Sequence, residues 1–212
     1  MRKATAFVPA HISGFFQPCE AKMPERIGSR NCGPCLELGV LTQADAEPAN
    51  RTSVKVFIDG KRAPEAETTV TAVKQLLSMT RGSFKVEVHH SCQVPVGAGY
   101  GASGAGALGA TLALSKALGL RLARDKLTTI AHVAEVRCRT GLGDVGAQAF
   151  GGLVIGVQPG APPHGRWKRI LVPRDLKILC ATLGPLSTRD LLRDEDFKRR
   201  AVKLGECAMN TL

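Results

Sequence analysis

The segment Pro95-Val96-Gly97-Ala98-Gly99-Tyr100-Gly101-Ala102-Ser103-Gly104-Ala105-Gly106 holds the residues best suited to chemistry, and it runs directly into the apolar stretch Ala107–Leu118. Glycine lacks a Cβ, so main-chain N–H groups in such a loop can turn toward a ligand and approach it closely. A helix opening there adds unpaired N–H donors and a partial positive charge. Together they make an anion site suited to phosphate. Ser103 is placed to touch a phosphate or its metal. Two carboxylates follow: Glu135 near the end of a predicted helix, and Asp144 in the glycine-rich turn Thr140-Gly141-Leu142-Gly143. A carboxylate on such a turn can reach a bound ligand, as a metal ligand or a base. In the plainer reading, Glu135 is a solvated helix residue and Asp144 caps a helix over 145–150.

Three rival readings of the loop are weaker. Gly99, Gly101 and Gly104 satisfy the dinucleotide fingerprint G-x-G-x-x-G, which needs a strand immediately before it and an acid at the end of a second strand about 20 residues on. Pro95 separates the loop from the strand-like Phe84–His90, and Asp125 sits in a stretch that does not read as a strand. The ATP loop ending in Gly-Lys-Ser/Thr is excluded, since no lysine lies between Lys85 and Lys116. The uncharged run Ser91–Ser115 contains too many glycines, and a proline, to make a good membrane span. Cys32-Gly33-Pro34-Cys35 has the thioredoxin spacing, but a polar glycine-containing turn precedes it and a strand-like segment follows, which is the wrong context for redox catalysis. One C-x-x-C also supplies only two of the four ligands of a structural zinc.

The elements that must position these residues read as α+β. Thr5–Val8 is a short strand, and His11–Arg30 a long irregular segment. Cys35–Thr42 and Ser53–Ile58 are strands, with a turn at Asp59-Gly60. Glu67–Met79 has helical spacing, and Phe84, Val86 and Val88 alternate as a strand. Gly104–Leu118 and Asp125–Cys138 read as helices, the second capped by Asp125. Gly152–Gln158 and Trp167–Val172 form a hairpin, Lys177–Leu183 a strand of a second unit, and Asp190–Cys207 a basic helix.

A chain of 212 residues with 44% hydrophobic and 22% charged residues is long enough for a real core and too apolar for disorder. A formal charge of +11 implies anionic partners. The basic residues are scattered, and one Trp and one Tyr are too few for extensive base stacking, so nucleic acid is a minor expectation. Seven cysteines and no export signal point to free thiols and the cytoplasm.

The loop Pro95 to Ala105 resembles the second signature of the GHMP kinases, P-x-x-x-G-x-G-S-S-A, with Ala102 in place of the first serine and Ser103 as the second. Asp144 followed by Gly151-Gly152 has the spacing of that family's catalytic turn and its Gly-Gly pair. The segment Pro9-Ala10-His11-Ile12-Ser13-Gly14 occupies the site of the first signature, with His11 where many members have lysine. Together with Gly28-Ser29-Arg30 and Thr140-Gly141-Leu142-Gly143-Asp144-Val145, this is similar to one branch, the archaeal pantoate kinases.

The resemblance implies ATP bound by Pro95, Gly97, Gly99, Gly101, Ala102, Ser103, Gly104 and Ala105, and Mg²⁺ held by Ser103 and Glu135. It implies Asp144 acting on the primary hydroxyl of pantoate, with His11 beside it. Arg30, Ser29 and Arg139 are then the candidates for contact with substrate. It also implies an N-terminal ATP-binding lobe over residues 1–175 and a ferredoxin-like C-terminal lobe begun at 176–212. On that expectation the second lobe is incomplete, no third signature being present, and the apolar face left open would favour a homodimer. Two alternatives stay open: a GHMP kinase for another small hydroxy acid or alcohol, and a non-catalytic nucleotide- or RNA-binding domain.

Overall fold

A computed structural model of the chain describes residues 2–173, 175–185 and 188–211. In chain order it comprises β1 (Arg2–His11), β2 (Phe15–Cys19), β3 (Gly28–Ala49), β4 (Ser53–Ile58), β5 (Lys61–Arg62), α1 (Glu67–Leu77), β6 (Ser83–Cys92), α2 (Ala102–Leu118) and α3 (Arg124–Cys138). The chain continues through α4 (Asp144–Phe150), β7 (Leu153–Gln158), β8 (Arg166–Ile170), α5 (Thr188–Leu191) and α6 (Glu195–Thr211).

The spine is β3, 22 residues long. Its C-terminal half is paired by β1 on one side and β6 on the other, and its N-terminal half by β2 and β7. The sheet order is β5-β4-β6-β3-β7-β8, with β1 and β2 also bonded to β3; among the described residues only β4 and β6 run parallel. Alternation decides which face is covered. Val40, Thr42, Ala44 and Ala46 of β3 point inward, while Leu41, Gln43 and Asp45 point out. The outer face carries cross-strand charge pairs such as Lys85–Glu47 at 3.0 Å.

Helices α1, α2 and α3 cover the inner face, and their core joins Val8, Val40, Val56, Val86 and Val88 to Leu76, Leu108, Leu114 and Ile130. Centred in that layer, α2 lies close on the sheet at Gly109, where a Cβ would meet Thr42 and Val8. Beneath it His90 is buried and neutral, bonded through Nδ1 to the Thr42 hydroxyl (2.9 Å) and through Nε2 to that of Thr69 (3.1 Å). Burial, with the nearby His89, pushes its pKa down to about 4.

Several expectations hold: β4, α1, β6, α2, α3 and the β7–β8 hairpin fall where periodicity puts them. Others need correction. The segment 11–30 contains β2 and the start of β3, because the long β3 offers a pairing partner that local turn residues conceal. Asp125 does not cap α3; Ala123 is the N-cap, and Asp125 lies in the first turn, where it still favours the helix dipole. Residues 177–183 form no strand, and 190–207 divide into α5 and α6. Asp194 makes the division, its carboxylate accepting the N–H groups of Asp196 and Phe197. Helix α6 then packs on β2 through Phe16 and Phe197. Among the described residues no helix is long and apolar enough to cross a membrane.

Gly109→Ala tests the close seating of α2, since its methyl would lie 2.5 Å from Thr42 Oγ1 and 3.0 Å from Thr42 Cβ. Overpacking of this kind costs about 1–3 kcal/mol, of which the better helix propensity of alanine returns about 1. The urea midpoint should fall; an unchanged or higher midpoint would contradict the packing described.

Candidate functional site

After β6 the chain reaches α2 through a loop whose glycines take left-handed backbone, Gly97 at φ 71°, Gly99 at 83° and Gly101 at 63°. Such angles disfavour any side chain. Gly101 is the N-cap of α2 and no side chain caps the helix. The first-turn N–H groups of Ala102, Ser103 and Gly104 therefore project beyond the helix end, with the positive end of the dipole behind them. Tyr100 anchors the loop by packing with Ala10 and Val94, and its carbonyl accepts the N–H of His11 at 3.1 Å.

The second wall is the turn between α3 and α4. Arg139 ends α3 in left-handed conformation, φ 57°. Gly141 and Gly143 then give up their side-chain volume to neighbours: the Glu135 carboxylate occupies the space beside Gly141, and Ser29 and Asn31 that beside Gly143. Helix α4 opens on Asp144 itself, with Gly143 at the N-cap, so the carboxylate lies in the first turn rather than capping it. At the other end of α4, Arg169 Nε and Nη2 donate to the carbonyls of Gly151 and Phe150. Trp167 of β8 fills the space left by Gly146.

Around these walls four sequence-predicted residues converge. His11 Nδ1 lies 2.7 Å from Asp144 Oδ1; the histidine is fully buried, the aspartate 23% exposed. His11 Nε2 has no partner among the described residues. A buried N–H without an acceptor is the costlier orphan, so the network assigns the proton to Nδ1, which donates to Asp144. Glu135 is 2% exposed. Its carboxyl is pushed up to about 8 by burial and by the negative charge of Asp144, against hydrogen bonds from the Thr140 and Ser103 hydroxyls. Thr68 of α1 extends this chain of hydroxyls, 2.9 Å from Thr140. Glu135 is therefore not a solvated helix residue.

The donor set suits a hard cation. A buried carboxylate beside the Ser103 hydroxyl offers oxygen ligands only, and it faces the helix end that would hold phosphates. Among the described residues no group of three His, Cys, Asp or Glu side chains converges as a metal cage. Magnesium is commonly bound by one or two carboxylates together with phosphate oxygens, so the residues present fit it.

The substrate candidates separate. Ser29 and Asn31 share one face of β3 and lie against Gly143. Arg30 takes the opposite face by strand alternation, where its Nε donates to Gln17 Oε1 at 2.6 Å. Arg139 is exposed and lines a cleft of about 440 Å³ with Glu67, Thr71, Arg137 and Arg193. The rival readings find no support. Asp125 is helical, so the dinucleotide fingerprint has no acid at a strand end. Cys32 and Cys35 are free thiols within β3. Burial raises both, Cys35 to about 12, the reverse of a reactive thiol.

Two residues at the site escaped the sequence reading. Asn31 stands between two candidates already noticed, and its only signal is β3 alternation. Gln148 lies one helical turn after Asp144, on the same face of α4, and donates Nε2 to Gly101 O at 2.8 Å.

The chain is similar to known proteins in sequence and in fold. The family described as GHMP kinases N terminal domain matches residues 67–152. A protein named pantoate kinase from Thermococcus kodakarensis is 37% identical over 98% of this chain and 68% of its own length. One of the same name from Methanospirillum hungatei is 34% identical over 93% of the chain and 66% of its own length. The chain thus spans about two thirds of the length of these relatives. A solved structure described as a phosphotransferase related to the CoA biosynthesis pathway superposes with a TM-score of 0.80 at 29% identity, covering 99% of this chain and 77% of its own.

Glu135→Gln tests the buried carboxyl. The folded protein holds this proton where the unfolded chain, with an ordinary carboxyl pKa of 4.5, has lost it. The contribution of this carboxyl to stability is therefore full below about pH 4.5 and is lost as pH rises through about 8. Without metal or nucleotide, the neutral amide should unfold roughly 4–10 °C above wild type at pH 8 and converge with it in acid. Parallel pH profiles of the two proteins would overturn the assignment.

Proposed function

The chain belongs to the pantoate kinases, a branch of the GHMP kinases, and from that premise we propose that it transfers the γ-phosphoryl group of ATP to the primary hydroxyl of pantoate, giving 4-phosphopantoate for coenzyme A biosynthesis. The observation that carries the reading is the meeting of two elements at Gly101. Its missing Cβ would lie 3.1 Å from Asp144 Cγ, so an uncapped helix N-terminus and a partly exposed carboxylate share one point.

The chain's own groups divide the work. The N–H groups of Ala102, Ser103 and Gly104 would receive the phosphates, within the loop Pro95–Ala105. Ser103 and Glu135 would hold Mg²⁺, which when bound supplies neutralisation of the β- and γ-phosphate charge. Asp144 accepts the proton of the substrate hydroxyl as its oxygen bonds to the γ-phosphorus and the bond to the ADP oxygen breaks. His11 steers this step from behind: its Nδ1–H fixes one carboxylate oxygen and leaves the other for the hydroxyl.

Substrate recognition falls to the other side of the turn. Ser29, against Gly143, lines that side. A carboxylate substrate calls for a forked cation. Arg30 is committed to Gln17; Arg139 immediately precedes the turn that carries Asp144, and we assign it the substrate carboxylate. On this reading residues 1–175 are the ATP-binding lobe.

ADP release, measured with ATP and Mg²⁺ over pantoate, mevalonate, homoserine, glycerate and galactose, should occur with pantoate alone. Asp144→Asn should lower turnover roughly 10²–10⁴-fold while nucleotide still binds. Preference for another member of the panel would sink the substrate assignment. Near wild-type turnover in the variant would sink the role of Asp144.

A further inference from the structure

Gln148 is 2% exposed and stands four residues after Asp144 in a helix of seven. Both side chains meet Gly101: its missing Cβ would lie 2.9 Å from Gln148 Nε2 and 3.1 Å from Asp144 Cγ. The Gly101 carbonyl is held twice, by the Ala105 N–H at 3.0 Å and by Gln148 Nε2 at 2.8 Å. The first bond belongs to α2 itself; the second crosses to α4. Gln148 Oε1 has no partner among the described residues and points at Gly104, whose missing Cβ would lie 3.1 Å away.

We propose that Gln148 is a positioning residue that sets the distance between the phosphate-binding end of α2 and the catalytic Asp144. The inference rests on the kinase reading and deepens it. Gly101 lacks a side chain and no side chain caps α2, so the orientation of its peptide depends on what holds its carbonyl. That peptide aims the first N–H groups of the helix. By gripping it from the helix that carries Asp144, Gln148 locks donor groups and base into one frame. A side chain serving packing alone would be apolar here, because the unpaired Oε1 weakens the native state. The amide is retained for its donor.

The test is Gln148→Met, with Gln148→Leu as a second variant, each similar in bulk and lacking both amide groups. Their melting temperatures should equal or exceed that of wild type. With ATP, Mg²⁺ and pantoate, kcat should fall about tenfold to a hundredfold, the scale of a misplacement near 1 Å. KM for pantoate should stay within about twofold, since the contact acts on the transition state rather than on substrate binding. Amide hydrogen exchange across 101–105 should quicken in the nucleotide-free protein. Unchanged kcat and exchange, or activity and melting temperature falling together in both variants, would overturn the proposal. If wild type turns over no member of the substrate panel, the kinase reading falls, and the exchange measurement alone still decides for or against Gln148.

Discussion

A carboxylate must be kept inside this protein at the place where α2, α3 and the turn before α4 converge, and much of the local sequence answers that requirement. Removing Glu135 from water disfavours its charge. The surroundings return part of that through hydroxyls, Ser103 and Thr140 on the carboxyl and Thr68 behind Thr140. They also make room: Gly104 and Gly141 stand where any side chain would press on the carboxylate oxygens. The glycines that look like flexibility in the sequence are therefore space at these two positions. What they admit is a buried carboxyl that holds its proton more tightly than one in water.

The same logic of close approach runs through α2. Its small residues let it lie on the sheet with Thr42 and His90 beneath it, and that seat fixes where its N-terminus emerges. Because β1 and β3 are neighbours in the sheet, His11 arrives at the end of β1 beside the same opening, and the Tyr100 carbonyl ties the loop to it. The glycine-rich loop, the histidine and the carboxylate turn come from distant parts of the chain. One rigid layer of helices on one long strand sets their separations.

Sequence periodicity exposed the parts of this arrangement governed by local rules. The glycines of the loop, the helical spacing of α1 and α3 and the alternation in β4 and β6 are all written in neighbouring residues. So was the pairing of Ser103 with Glu135 and Asp144, once the family pattern was laid over them. Long-range pairing was not legible. Phe15–Cys19 and Gly28–Arg30 look irregular because prolines and glycines interrupt them, yet β3 holds them in a ladder that no local propensity reports. Arg30 illustrates the finer limit. Its charge suggested a role in binding, but the register of β3 turns it to Gln17 and gives the site face to Ser29 and Asn31.

The unpaired buried atoms follow a pattern that propensity rules alone do not explain. Among the described residues, three of the five buried atoms without partners, His11 Nε2, Asn31 Oδ1 and Gln148 Oε1, belong to side chains beside Asp144 or the turn before it; Asp45 Oδ1 and Gln75 Oε1 lie elsewhere. Each also makes one directed bond: His11 to Asp144, Asn31 to Ser29 and Gln148 to Gly101. Each orphaned atom weakens the fold. Arg139 adds to this cost, held at positive φ where its side chain makes that conformation unfavourable. A chain selected for stability alone would place apolar residues at such positions. At this turn orientation is kept at a cost in stability, as a site that must hold one carboxylate in a fixed direction requires.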